Sequence, residues 1–168
     1  MGTMTGARWL NPAERQAWLA LYGVATLLPG TLDADLNRRA RVTLFDYHVL
    51  AMLSEAEERT LPMSELAGRS NASLSRLSHV VTKLENRGWV QRSQSTRDLR
   101  VTTATITAEG LTNLQELALE HVEHVRRLVF DGLDERDIAD LERVGKKILA
   151  RLDETHWILK QSQPVGSA

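Results

Sequence analysis

Cysteine is absent from this chain of 168 residues. The absence excludes disulfide bonds, thiolate metal sites and thiol-based redox sensing. Aromatic residues make up only 5% of the sequence, and no apolar run approaches the roughly 20 residues that a membrane-spanning helix needs. Residues 1–7 lack a basic segment followed by an apolar run, so no signal peptide is expected. We therefore expect a cytoplasmic protein with no membrane partner.

The common signatures of catalysis are also missing. The sequence has no P-loop, no HExxH motif and no glycine-rich nucleotide loop. Ser73, Ser75, Ser78 and His79 lie close together, but no third residue is placed to orient a base. We predict no catalytic residue, no cofactor and no enzymatic activity.

The chain does contain enough apolar residues, 42%, to build the core of a single domain over residues 1–168. The net charge is −1, yet the charges are unevenly distributed. Seven basic and two acidic residues lie between Arg69 and Arg100, a local charge of +5, which leaves −6 for the rest. A basic patch on a near-neutral protein is typical of phosphate contact, although chance clustering on a solvated surface would give the same count.

The N-terminal third reads as helical. Asn11 followed by Pro12 is a helix start, and Pro29-Gly30 predicts its end near Leu28. A second helical piece is expected at residues 31–39. Thr43 and Asp46 resemble a capping box that opens a helix through about Leu53.

The middle of the chain shows an order of elements that carries functional information. Two helices are expected at 64–69 and 73–88, with a turn between them. A polar two-stranded ribbon is expected at 89–94 and 101–106, with a charged hairpin tip at 95–100. This order predicts a winged helix-turn-helix, in which one helix fits a major groove of DNA and the ribbon reaches the neighbouring groove or backbone. Residues 43–106 form this predicted DNA-binding lobe.

The second helix of this lobe has two distinct faces at 100° per residue. The apolar face holds Leu74, Leu77, Val80, Val81 and Leu84. The polar face lacks carboxylates, and its small hydroxyls permit close approach while Arg, His and Lys reach bases or phosphates. With the N-cap and the neighbouring ribbon, the predicted DNA contacts are Ser73, Ser75, Arg76, His79, Thr82, Lys83, Arg92, Arg97, Asp98 and Arg100.

Within this set the residues are expected to act differently. Arg76 and His79 are predicted to discriminate between bases, whereas Lys83 and Arg92 are predicted to bind mainly phosphate. Asp98 is unusual in a basic hairpin tip, and we expect it to accept hydrogen bonds from the hairpin backbone or to hold Arg100 in place.

Two long helices are predicted after the ribbon, from Thr107 to about Val129 and from Asp134 to about Leu152, with Ile158 as a further apolar position. Their apolar stripes exceed what a small winged lobe can cover. We expect segments 10–39 and 107–160 to form the dimerisation helices of a homodimer, although an intramolecular hairpin would also bury the stripes. The fold is thus predicted to be mainly α with a small β-wing, a winged helix-turn-helix flanked by long dimerisation helices. The polar tail 161–168 is expected to be disordered.

These motifs resemble those of the MarR family of bacterial transcription regulators. The resemblance lies in Ser64-Glu65-Leu66-Ala67, in Ser75-Arg76-Leu77 through Leu84-Glu85-Asn86-Arg87-Gly88-Trp89-Val90, and in Asp98-Leu99-Arg100 followed by Ile106-Thr107-Ala108-Glu109-Gly110. The tip Ser95-Thr96-Arg97 departs from the family pattern because it lacks an acidic lead-in. The resemblance implies a homodimer on a pseudo-palindromic operator of double-stranded DNA, repression of adjacent genes, and release by a small aromatic or phenolic ligand.

A ligand pocket is implied between the dimerisation helices and the winged lobe. The candidate residues are Trp9, Trp18 and Tyr22 on the first helix and Asp46, Tyr47 and His48 on the second, each of which could equally serve core packing or capping. Two other readings remain open. His121 and His124, beside Glu120 and Glu123, would suit a metal-responsive regulator if a third ligand came from another helix. A winged helix can also serve as a protein-docking module without binding DNA.

Overall fold

The computed structural model describes residues 8–160. Its helices are α1 (Pro12–Ala40), α2 (Leu44–Ser54), α3 (Met63–Arg69), α4 (Leu74–Asn86), α5 (Ala108–Val125) and α6 (Glu135–Leu152), and its strands are β1 (Thr60–Pro62), β2 (Val90–Gln94) and β3 (Thr102–Ile106). Short 3-10 turns occur at Glu57–Arg59 and Trp157–Lys160, and a π-helical turn, Arg126–Phe130, extends α5. The mainly helical fold with a small β-wing is confirmed. The tail predicted to be disordered, 161–168, lies outside the described residues.

Helix α1 is longer than predicted. Asn11 caps the helix as expected and forms a capping box with Glu14, but the helix passes through Pro29 and ends only at Ala40. The prediction of a break at Pro29-Gly30 was therefore wrong, and 31–39 is not a separate piece. Proline removes one helical hydrogen bond, whereas the residues that follow it are anchored by the burial of Leu32 and Leu36. Tertiary packing outweighs the local cost.

Helix α2 provides the centre of the core. Thr43 and Asp46 form the predicted capping box, with hydrogen bonds of 3.0 Å and 2.8 Å to each other's backbone N–H groups. Val49, Leu50 and Leu53 are fully buried. Helices α3 and α4, the sheet and the first half of α5 pack around them, through Leu66, Leu77, Val81, Leu84, Trp89, Ala104, Ile106 and Leu114.

The apolar face of α4 is buried as predicted at Leu77, Val81 and Leu84. Leu74 is an exception, since 54% of it is exposed. It occupies the first turn of α4, beside the exposed N-cap Ser73, where no other element covers it. Including Leu74 in the core was therefore wrong.

The wing is the antiparallel hairpin of β2 and β3, which pairs Val90 with Ile106 at its base and Gln94 with Thr102 near its tip. Strand β1 joins β3 on the other side, so the three-stranded sheet has the order β1-β3-β2. Pro62 ends β1, which is an edge strand of the sheet, where proline is tolerated.

Two glycines fix the wing to the helices on either side. Gly88 has φ +73°, a left-handed conformation that lets the chain turn from α4 into β2. At Gly110 a Cβ atom would lie 2.1 Å from the carbonyl oxygen of Trp89. Because only glycine permits that approach, α5 begins directly against the base of the wing, where the Thr107 hydroxyl donates to the Gly88 carbonyl at 2.7 Å.

Helix α6 has a continuous apolar stripe but no buried residue. Its N-cap Asp134 and capping-box partner Asp137 match the prediction. The helix ends at Leu152, so Ile158 is not part of it but lies in the following 3-10 turn. Within the described part of the chain, no helix is long and apolar enough to cross a membrane.

Candidate nucleic-acid interface

The polar face of α4 is exposed along its length, which leaves it accessible to a partner. The hydroxyl of N-cap Ser73 accepts the Arg76 backbone N–H at 3.2 Å. From there Ser75, Arg76, His79 and Lys83 are exposed. The predicted face therefore exists as a surface.

Glu85 is the single acidic residue of α4, and the structure neutralises it. Its carboxylate accepts the Arg92 backbone N–H at 2.9 Å and Nε–H at 2.8 Å. The hydrogen bond from the Arg92 side chain has the largest effect on Glu85 and lowers its pKa. Burial raises the pKa by less, while the backbone hydrogen bond and the positive charge of Arg92 lower it further. Glu85 thus stays ionised but paired, so that an approaching phosphate meets no isolated negative charge on this helix.

Arg92 joins the wing to α4. Besides Glu85, its guanidinium donates to the Thr82 hydroxyl at 2.7 Å and to the Ser78 hydroxyl at 3.3 Å. Sequence reasoning placed Arg92 and Thr82 among the DNA-binding residues without foreseeing that they bind each other. These hydrogen bonds connect β2 to α4.

Lys83 is likewise engaged within the protein. Its Nζ lies 2.5 Å from Oδ2 of Asp46, whose side chain is almost fully buried. Asp46 also completes the capping box of α2 with Thr43. The two residues were predicted for different sites, phosphate binding and ligand binding, yet they form one ion pair that ties α4 to α2.

Arg76 is held in place by an aromatic ring. Its guanidinium carbon lies 4.2 Å from the ring centroid of Phe45, at the start of α2. Such stacking restricts a long side chain while its hydrogen-bond donors stay available. The sequence did not reveal this pair, because the two residues are distant in the chain.

The wing tip is organised by short side chains. Ser95 accepts the backbone N–H of Arg97 at 3.2 Å and of Asp98 at 3.4 Å, and so replaces the acidic lead-in that the tip lacks. Asp98 accepts the Arg100 N–H at 3.0 Å, and its Oδ1 lies 3.4 Å from Nε of Arg100. Both predicted interactions of Asp98 are confirmed. Arg97 and Arg100 are exposed beyond the protein body.

The six candidate ligand residues differ in their exposure and in their partners. Trp9, Trp18 and Tyr22 are more than half exposed on or before α1. Tyr47 stacks on His121, with ring centroids 4.2 Å apart, and His48 lies 3.4 Å from the Arg69 carbonyl oxygen. The assignment of these six residues to a ligand pocket therefore stays a prediction.

A polar cluster between α1 and α5 escaped sequence reasoning. Asp35 is buried and bonded to Arg38, to Nε of Arg39 at 3.0 Å and to Nδ1 of His124 at 3.3 Å, while Arg39 also pairs with Glu120. Burial favours the neutral acid, but the hydrogen bond from Arg39 and the neighbouring positive charges outweigh it and lower the pKa of Asp35. The sequence did not indicate these contacts, because a single Asp within a helix does not show which residues it will pair with.

The same cluster accounts for the two histidines considered as metal ligands. His124 binds Asp35, whereas His121 stacks on Tyr47, and burial together with the nearby His124 lowers the pKa of His121. Between residues 8 and 160, no group of three or more His, Cys, Asp or Glu residues has the geometry of a metal site.

An exposed helix from a helix-turn-helix, flanked by a basic two-stranded wing, defines the winged helix-turn-helix class of proteins. Comparison with known proteins makes the assignment specific. The model of the MarR family matches residues 42–102. A MarR family transcriptional regulator from Streptomyces coelicolor, Sco3205, solved in complex with DNA, is 36% identical, covers 89% of this chain and 93% of that chain, and superposes with a TM-score of 0.84. This chain belongs to the MarR family.

Two curated relatives from Escherichia coli extend the comparison. The HTH-type transcriptional regulator PapX is 28% identical over 108 residues, which are 64% of this chain and 65% of PapX. The transcriptional repressor MprA is 27% identical over 64% of this chain and 61% of its own length. The match therefore spans slightly less than two thirds of these relatives. All three are regulators rather than enzymes, in agreement with the prediction from the sequence.

Proposed function

We propose that this protein is a sequence-specific DNA-binding regulator that acts as a homodimer on a pseudo-palindromic operator and represses the adjacent genes. The observation that carries the proposal is the exposed face of α4, where Ser75, Arg76 and His79 take no part in the core. Glu85, the one acid of the helix, is neutralised by Arg92. An α-helix fits the major groove, and Arg can donate two hydrogen bonds to guanine O6 and N7.

The wing supplies a second contact beside the helix. Because Arg92 fixes β2 against α4, the tip residues Arg97 and Arg100 are held at a set distance from the α4 face. Exposed arginines at a hairpin tip suit a minor groove or the phosphate backbone. The complex of Sco3205 with DNA supports the same partner for this chain.

Dimerisation is supported by apolar surface that the single chain leaves uncovered. On α6, Ile138, Leu141, Val144, Ile148 and Leu152 are each at least 39% exposed. Leu19, Val24 and Leu27 on α1 and Leu119 and Val122 on α5 are also exposed. A second copy that packs the same helices against these would bury the stripes and place two α4 helices for two half-sites.

Repression is supported by the relatives, since MprA is a transcriptional repressor. A dimer bound across an operator excludes polymerase from an overlapping promoter without needing any further partner. Reporter expression from a promoter carrying the operator should therefore fall when the protein is produced, and a rise would show activation instead.

DNA selection tests the proposal. The purified protein is used to enrich sequences from a random double-stranded library, in parallel with a triple variant, Ser75→Ala, Arg76→Ala, His79→Ala. The wild type should enrich an inverted repeat whose half-sites lie about one helical turn apart. The variant should enrich nothing in common with it. A wild-type pool without a consensus would contradict sequence-specific binding.

A cleft of about 250 Å³ between α1 and α5 favours a small-molecule effector as a second part of the proposal. Apolar Leu36, Trp89 and Leu117 line it together with basic Arg39, His121 and the acidic residues Asp35, Glu116 and Glu120. Its size admits a single aromatic ring, and it touches both the long helices and the base of the wing. Benzoate and 4-hydroxybenzoate should weaken operator binding by the wild type but not by Leu117→Trp, which fills the cleft. Equal responses would exclude this site.

A further inference from the structure

The C-terminal turn after α6 lies against the turn of the helix-turn-helix. His156 is only 4% exposed, and its Nε2 lies 2.8 Å from Oδ1 of Asn71, 85 positions earlier in the chain. The neighbouring Trp157 donates its Nε1–H to the Arg69 carbonyl at 3.2 Å. We propose that His156 and Trp157 are positioning residues for DNA reading, because they clamp the turn that sets the angle between α3 and α4.

The hydrogen bonds at the end of α3 show why the clamp is needed. A helix leaves its last carbonyl groups without helical partners. Here the carbonyls of Leu66, Ala67 and Gly68 accept the backbone N–H groups of Ser70, Ala72 and Asn71 at 3.0–3.2 Å. The carbonyl of Arg69 is left for side chains, and it accepts the N–H of Trp157 and, at 3.4 Å, that of His48. The C-terminal turn therefore completes the cap of α3.

Two features of the turn remain unfavourable despite these backbone hydrogen bonds. Asn71 adopts φ +51°, a left-handed conformation that Asn tolerates better than most residues but that is uncommon without glycine. The hydroxyl of Ser70 is buried and has no hydrogen-bond partner within residues 8–160. A residue in a strained backbone conformation persists when surrounding contacts hold it in place. His156 provides such a contact through its hydrogen bond to the Asn71 side chain.

Arg69 adds a second layer to this contact. Its guanidinium lies 5.9 Å from the Trp157 ring centroid, and its Nη2 pairs with Glu65 at 2.6 Å. The basic side chain, although part of the central basic segment, is thus directed toward the C-terminal turn. Ala72 follows the turn directly and precedes Ser73, the N-cap of α4. A shift of the turn would displace the residues predicted to reach the bases.

The predicted effect of the clamp on DNA reading rests on the proposed function. The clamp itself is tested without DNA, by hydrogen exchange of the backbone amides. His156→Ala should raise exchange at the amides of Ser70, Asn71 and Ala72 by about tenfold, while core amides of α2 stay protected. His156→Gln should restore protection, since its amide can donate to the same Asn71 oxygen. Ile158→Ala, which trims the same C-terminal turn without removing either bond, is the matched control and should exchange like the wild type.

The effect on reading is measured on the DNA that the wild type selects. His156→Ala and Trp157→Phe should each weaken binding to the selected DNA about five- to tenfold and change binding to random DNA less than twofold, and His156→Gln should bind like the wild type. Unchanged exchange and binding in His156→Ala would overturn the proposal. So would a uniform fall in protection together with equally weakened binding to both DNAs. A wild type that binds no DNA would overturn the proposed function, and the exchange result alone would then decide the clamp.

Discussion

Asp35 illustrates how one side chain couples two helices. It lies on α1, is almost fully buried, and pairs with Arg39 on its own helix and with His124 on α5. A buried carboxylate is tolerated only when hydrogen bonds and positive charges compensate for lost hydration. The cluster therefore joins α1 to α5 just above the winged lobe.

The pH dependence of stability reports on this cluster. Because the pKa of Asp35 is lowered in the folded state, its contribution to the free energy of unfolding is fully present above its ordinary pKa of 3.8 and disappears as the pH falls through the folded value. Asp35→Asn should be less stable at pH 7 and should lose less stability between pH 4 and pH 2. Urea unfolding of both proteins across this range measures the difference, and parallel curves would show that Asp35 gains nothing from its partners.

The patterning of single residues explains which site assignments the sequence could support. Caps and faces depend on neighbours within four positions, so Thr43 with Asp46, and the polar side of α4, were predictable. The partners of Lys83, Arg76 and His156 lie 37, 31 and 85 positions away, and no local pattern encodes such pairs. For the same reason the sequence did not indicate that Asp46 pairs with Lys83.

At the scale of elements, the wing is attached to α4, and hydrogen bonds organise its tip. Arg92 holds β2 to α4, and Ser95 and Asp98 order the tip. The boundaries of both strands were predicted to within one residue, since each begins one position later than expected and ends where expected. The end of α1 was not, because burial of Leu32 and Leu36 overrides the local signal of Pro29.

Substitutions in the wing separate positioning from simple charge. Arg97→Ala and Arg100→Ala should each lower DNA affinity and make the log–log salt dependence shallower, by about one unit for each phosphate that the variant no longer binds. Asp98→Asn should also weaken binding, although it removes a negative charge, because a neutral amide holds Arg100 less firmly. The measurement is fluorescence anisotropy across a salt series. Tighter binding by Asp98→Asn would mean that net charge alone governs the wing.

At the scale of the whole molecule, the structure divides into a well-packed lobe and long helices with exposed apolar stripes. The core lies among α2, α3, α4, the sheet and the start of α5, whereas α6 buries none of its residues. Sequence periodicity predicted the stripes, but it does not distinguish a partner chain from an intramolecular hairpin. The uncovered face of α6 in the folded chain is what favours a second copy.

A charge placed in that stripe tests the dimer. Val144 and Ile148 lie one turn apart on the apolar side of α6 and are 42% and 39% exposed. Replacing both with Glu should convert a dimer at micromolar concentration into a monomer, because two carboxylates would be buried without partners. Ala150→Glu, on the opposite face, should remain dimeric. Sedimentation equilibrium measures the mass, and a wild type that is monomeric at micromolar concentration would refute the dimer.

The central claim is that the exposed face of α4 reads base sequence, and Arg76 tests it most directly. The measurement compares Arg76→Ala with the wild type on the selected operator and on random DNA at one fixed salt concentration. Arg136→Ala, in the first turn of α6, is the matched removal of one positive charge. We predict that Arg76→Ala weakens binding to the operator by about 1–3 kcal/mol and binding to random DNA by almost nothing. Equal weakening on both DNAs would contradict the account, because Arg76 would then bind phosphate rather than bases.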